Sequence, residues 1–227
     1  MKKRVFYTEI AYVLGLVIMA FAAAFTEKAD FGMSMVVAPA YILHLKMSQV
    51  LPWFSFGVAE YCFQGVLVLI TILVMRRFKL HYLFSFVTAV LYGTLLDLAM
   101  GILAPLPENN FLLRAVWYLL GTVFCSFAVS LFFHTYISPE AYELIVKEVS
   151  RKLNCDINKV KTAYDCISTL LGVLMSFVFF GFGVFKGVKL GTVICALING
   201  FLIGQFTRYL EKEFVFRDKF PLAKYFR

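Results

Sequence analysis

Charge is scarce in this chain. Asp, Glu, Lys and Arg make up 16% of its 227 residues, where ordinary soluble domains carry about 25%. Histidine is scarcer still: His44, His81 and His134 are the whole set, far apart and without metal-ligand spacing. There is no Walker loop, no GxSxG, no HExxH and no dinucleotide fingerprint. The chain is therefore not expected to be an enzyme, and nothing in it implies a cofactor or a metal. Five cysteines, Cys62, Cys125, Cys155, Cys166 and Cys195, form no CxxC pair. An odd set lying mostly in apolar segments reads as small packing residues rather than redox chemistry.

Apolar residues are plentiful. They make up 61% of the chain, Phe alone occurs 26 times, and the mean hydropathy is +0.81. A bilayer crossing needs about 20 apolar residues, so the length allows about six. The apolar runs place them near 7–25, 54–75, 82–104, 112–133, 162–184 and 188–209. The first run follows Lys2, Lys3 and Arg4 but is longer than the roughly 7–15 apolar residues of a secretory leader, so it reads as a true span. A net charge of +8 lies between these runs and at both ends. Without a basic face interleaved with aromatics it suits anionic lipid headgroups and not nucleic acid. The positive residues fall mostly on one side of six alternating crossings: Lys2 to Arg4; Arg76, Arg77 and Lys79; Lys147, Arg151, Lys152, Lys159 and Lys161; and Arg208 onward. That side should be cytoplasmic and hold both termini.

Two short segments interrupt the spans. Residues 33–45, with Pro39, are too few to cross and suit a re-entrant half-helix or an interfacial helix. Residues 139–153 are charged and amphipathic, with Ser138 placed to cap a helix and Pro139 in its first turn. Residues 211–227 read as a charged surface tail.

The chain resembles itself. Tyr12-Val13-Leu14-Gly15 and Phe21-Ala22 match Tyr118-Leu119-Leu120-Gly121 and Phe127-Ala128 at an offset of 106 residues. Ala59 and Cys62 match Ala163 and Cys166 at 104, and Ala89 and Gly93 match Ala196 and Gly200 at 107. Each half reads span, short helix, span, span. Three crossings is an odd number, so the second half would enter from the opposite side. The expected fold is an all-α polytopic membrane protein, six transmembrane helices as two inverted three-span repeats (1–105 and 106–210), each with a short re-entrant or interfacial helix after its first span. In that arrangement a solute site lies between the halves near the midplane.

Polar residues inside spans mark candidate sites, because charge in hydrocarbon is costly and is retained for a partner, a cavity or a solute. Asp97 lies deep in the third run, and its match in the second half is Gly204. Glu60 and Gln64, four apart, share one helix face. Asp165 opens the fifth run and falls within one position of Glu60 in the paired halves. Tyr92 matches Asn199. These six are the expected solute- or ion-binding candidates, with Asp97, Glu60 and Asp165 the charged ones.

The stretches Ala29-Asp30-Phe31-Gly32-Met33-Ser34, Ser55-Phe56-Gly57, Arg76-Arg77-Phe78-Lys79 and Tyr92-Gly93, with Gly191-Thr192-Val193 and Asn199-Gly200 in the last run, resemble the YczE/YitT-like group of small bacterial integral membrane proteins. The resemblance implies a bacterial inner-membrane location and little about chemistry. The function expected from the residues is a small secondary transporter, proton- or cation-coupled. The alternatives are a substrate-capturing subunit served by a separate ATPase, with 139–153 as its docking helix, and a lipid-handling or structural protein. Oligomeric state, a homodimer included, is left open.

Overall fold

A computed structural model describes residues 3–137 and 140–220. Strand β1 (Arg4–Tyr7) runs straight into α1 (Thr8–Ala29), followed by α2 (Ala38–Met47), α3 (Phe56–Met75), α4 (Leu80–Leu103), α5 (Phe111–Phe132), α6 (Ala141–Leu153), α7 (Ile157–Phe180), α8 (Leu190–Glu213) and strand β2 (Phe214–Arg217). All the helices except α2 and α6 are long and apolar enough to cross a membrane. The chain is thus a multi-pass integral membrane protein. The span positions follow the apolar runs closely, because hydropathy and helix length are set by the same hydrocarbon thickness.

At the centre α1 lies along α5. Small residues let them approach: a Cβ on Gly121 would strike Thr26 and the Ala22 carbonyl, and one on Gly15 would strike the Phe132 ring. Helix α4 packs on α1, and α8 packs on α5. Helix α3 packs on α4, with the backbones touching at Gly57 and Gly93, where neither residue has room for a Cβ. Among the described residues α7 and α8 stand apart; α7 leans instead on α2 and α6. Only 17% of the apolar window of α7 and of α8 is buried, against 33–50% in the other four spans.

The two short helices are half-helices built into the bundle. The turn leading into α2 sits beside Tyr92 and Cys125, midway along α4 and α5. Its far end reaches the last turn of α7, where Lys46 donates to the Phe179 carbonyl. Ala38, Ala40 and Ile42 are fully buried, so α2 is a packed element and does not lie on a surface. Helix α6 begins beside Gln64 in the middle of α3 and ends beside Val74, whose carbonyl takes a hydrogen bond from Lys152.

Two expectations meet the structure at element ends. First, α8 continues to Glu213, four residues past the expected end of the span, and within the segment expected as a tail Phe214–Arg217 pairs in parallel with Arg4–Tyr7, Arg4 opposite Phe214. Alternating aromatic residues drive this, with Phe6 edge-on to both Phe214 and Phe216. The ladder puts the two described ends of the chain on one side of the bundle, called here the terminal side. Second, the capping expected of Ser138 and Pro139 lies outside the described residues, and the position before α6 is held by Glu140.

Candidate functional site

A cavity of about 240 Å³ lies where the two half-helices begin. Its wall combines the turn before α2 (Ser34 to Val37), the first turn of α6 (Glu140, Tyr142 and Glu143), Tyr92 from α4 and Cys125 from α5. The remaining side is the gap between α7 and α8, lined by Lys161 and Asp165 on one helix and Asn199 and Gly200 on the other.

Local chemistry explains both half-helix starts. Helix α1 stops at Asp30, in the left-handed conformation at φ 53°. Gly32, at φ 113°, then passes so close to Thr192 and Lys189 that a side chain would collide. Met33 N donates to the Gly187 carbonyl at 2.8 Å, drawing the chain back into the bundle, and the Ser34 carbonyl accepts from Val37 N and Ala38 N to open α2. Pro39 suits the first turn because it has no N–H to satisfy.

The α6 start is held by a side chain from α3. Gln64 Oε1 accepts from Ala141 N at 3.1 Å, while Gln64 Nε2 donates to Glu60 Oε2 (3.2 Å) and to Glu140 Oε2 (3.4 Å). Tyr142 Oη donates to Glu60 Oε2 at 2.8 Å. Glu60 and Gln64 are wholly buried and Glu140 is 8% exposed. The second oxygens, Glu60 Oε1 and Glu140 Oε1, meet no hydrogen-bond partner among the described residues.

Elsewhere in the cavity Lys161 Nζ pairs with Asp165 Oδ1 at 2.9 Å, one helical turn apart, and Ser126 Oγ donates to Asn199 Oδ1 at 2.6 Å. The far end of α6 is pinned through Glu148, which accepts from Tyr82 Oη at 2.7 Å and Lys79 Nζ at 3.2 Å. Burial raises the Glu148 carboxyl, but the hydrogen bonds from Tyr82 and Lys79 and the charges of Lys79 and Arg151 outweigh it and hold the group below its ordinary value.

Of the six residues singled out by sequence, Tyr92, Asp165 and Asn199 line the cavity, and Glu60 and Gln64 stand directly behind its α6 wall. Asp97 lies elsewhere. Its Oδ1 accepts from Gly57 N at 2.8 Å and its Oδ2 from Ser55 Oγ, so it clasps the first turn of α3 from the neighbouring helix. Sequence reasoning passed over Glu140, Glu143 and Lys161. Acids at the start of a short amphipathic helix are ordinarily partners of its dipole, and Lys161 lies among the basic residues that set orientation. The available signal was positional: Glu140 stands at the start of the short helix after a first span, as Ser34 to Val37 do in the other half.

Six apolar helices, with a cavity between the two half-helix starts that carries a few polar side chains, define a multi-pass membrane protein. The chain belongs to DUF6198, a family of unknown function, whose family model matches residues 6–208. No curated protein and no solved structure matches it.

Proposed function

We propose that the protein is a small secondary transporter whose solute chamber is the cavity between the two half-helix starts, with the halves as inverted repeats. The reciprocal packing of the elements carries this reading. Exchanging α1–α4 for α5–α8 turns the α1–α4 contact into α5–α8, α2–α3 into α6–α7, and α3–α6 into α7–α2, each of which is present. Among the described residues the exchange fails where α3 closes on α4 while α7 stands off α8, and again where α4 touches α6 while α8 makes no comparable contact with α2. Gly57 and Gly93 meet at the closed crossing. Their counterparts by repeat offset, Lys161 and Gly200, face each other across the cavity. Two like halves in unlike states are what alternating access requires: one side shut, the other open.

The chamber is smaller than the roughly 300–1,000 Å³ of drug-sized sites, which suits a small metabolite. Lys161 is already answered by Asp165, leaving Glu140 and Glu143 as acids facing the space, so a solute carrying an amine fits best. Helix α6 has Tyr142, Leu144 and Val146 buried and packs on α3 and α7, an occupied position that disfavours it as a free docking helix for an ATPase. The positive residues argue for a cytoplasmic terminal side, in a bacterial inner membrane by the family resemblance.

The test is a thermal-shift screen of small amines, amino acids and organic acids on purified protein, with uptake of the stabilising solutes into proteoliposomes. An amine-bearing solute should stabilise and accumulate, and Asn199→Leu, which fills the chamber, should lose both. Absence of stabilisation across the panel together with lipid movement in the same vesicles would replace the reading with lipid handling.

A further inference from the structure

The two seams joining the halves differ in chemistry. Where α7 meets α2 the contact is apolar: Gly172 lies near Ala38 and Ile42, and an added Cβ would crowd only Val188. Where α3 meets α6, the contact is two carboxylates on one amide: Gln64 Nε2 donates to both Glu60 and Glu140. No ion pair reaches either acid among the described residues.

The surroundings offer no compensating charge. From α6 the pair is faced by Tyr142 and Glu143, and from α4 by Tyr92. Helix α7 contributes Tyr164 and the Lys161–Asp165 ion pair. Cys125 of α5 and Tyr12 of α1 lie near Glu140. Among the described residues Lys161, the cation that lines the cavity with Glu140, is thus already matched, and Glu143 adds a further acid. Two ionised carboxylates cannot be kept together in a buried site without a cation; one of them takes a proton. Among the described residues each also has an oxygen, Oε1, without a partner, a place for an added proton.

We propose that Glu60 and Glu140 hold one exchangeable proton between them, and that its loss into the chamber frees the start of α6 from α3. Glu140 lines the cavity while Glu60 lies behind it, so Glu140 is the exit and Glu60 the inner store. On release a carboxyl O–H bond breaks, its electron pair stays on the oxygen, and the proton passes to water entering the cavity. Two like charges then share the Gln64 amide, and their repulsion acts across the seam. A proton site at a joint between the halves would couple the proposed carrier to protons. That last consequence rests on the transport reading; the shared proton does not.

The experiment is an infrared pH titration of the purified protein, in lipid nanodiscs, with glutamate labelled by carbon-13 at the side-chain carboxyl. Wild type should show a protonated-carboxyl band at neutral pH, absent from the Glu60→Gln/Glu140→Gln double variant. Either single variant should bind its remaining proton about tenfold more weakly, because the neighbouring acid is gone. Tyr142→Phe keeps both acids and should move ionisation to higher pH, since it removes a donor to the ionised form; it serves if the Gln variants do not fold. Hydrogen exchange at residues 141–144, corrected for its intrinsic pH dependence, should speed up across the same transition. A wild type without the band, a band that survives in the double variant, or a band removed by sodium at constant pH overturns the shared proton. Titration without a change in exchange overturns the release of α6. None of these readouts uses a transported solute, so failure here and failure of the transport reading are told apart.

Discussion

Asp97 and Glu148 are acids whose partners are known atom by atom. Removing the Asp97 carboxylate strips the first turn of α3 of the acceptor for Gly57 N and Ser55 Oγ. Asp97→Ala should therefore cost about 1–2 kcal/mol, the scale of a lost N-terminal cap, and Asp97→Asn less, read as a lower melting temperature in detergent. Glu148 supplies pH dependence. Its folded carboxyl is held below the ordinary value, so the stability it gives is complete above the ordinary carboxylate range and is lost as pH falls through the depressed value. Glu148→Gln should lose about 1.5–3 kcal/mol at neutral pH, the worth of hydrogen bonds to a charged group, and should flatten the acid side of the stability profile. The presence of costly acids was legible in the sequence, because charge stands out against an apolar background. Which of them is architectural was not. The residues that decide it for Asp97, Ser55 and Gly57, are some forty positions away on another helix.

At the scale of the helices, the glycines separate packing from space. Gly93 touches Gly57, whereas Gly200, its partner in the internal repeat, and Gly204 have nothing near them. Gly93→Leu should force α3 from α4 and lower the yield of folded protein sharply, while Gly200→Leu should leave the melting temperature nearly unchanged. If α7 closes on α8 during the cycle, Gly200→Leu should still abolish solute uptake, and stability and uptake measured side by side distinguish the two effects. The Gly200-xxx-Gly204 spacing permits close helix approach, yet among the described residues nothing lies against either glycine. Small-residue spacing records where a helix can be approached and not whether it is. The spans were readable because each is a local run of about the bilayer's thickness. The depth of α2 was not, since it depends on Met33 reaching Gly187 in the other half of the chain.

For the whole molecule, the offsets of about 105 residues point to two like halves, and the packing is reciprocal except at α3–α4 and α4–α6, whose counterparts α7–α8 and α2–α8 are not packed alike among the described residues. A cysteine pair at Lys161 and Gly200 tests the first exception. Oxidation of Lys161→Cys/Gly200→Cys should be slow in the protein alone and faster with a transported solute, and the cross-linked form should not transport. A rate indifferent to every stabilising solute would count against closure of this gap.

The strand ladder adds a constraint on how such closure could proceed. Helix α8 is fastened along its length: Gly191 N to the Phe31 carbonyl at 2.9 Å and Lys189 to Asp30 at one end, Asn199 to Ser126 midway, and β2 against β1 at the other. The terminal-side half of α7 rests instead on α6, with Tyr164 against the cluster that holds Tyr142. Of the two doorposts, then, one is fixed to the frame and the other is the door. Spin labels on α8 and α5 should keep a constant separation under all conditions, while the distance from either to the first two turns of α7 should vary.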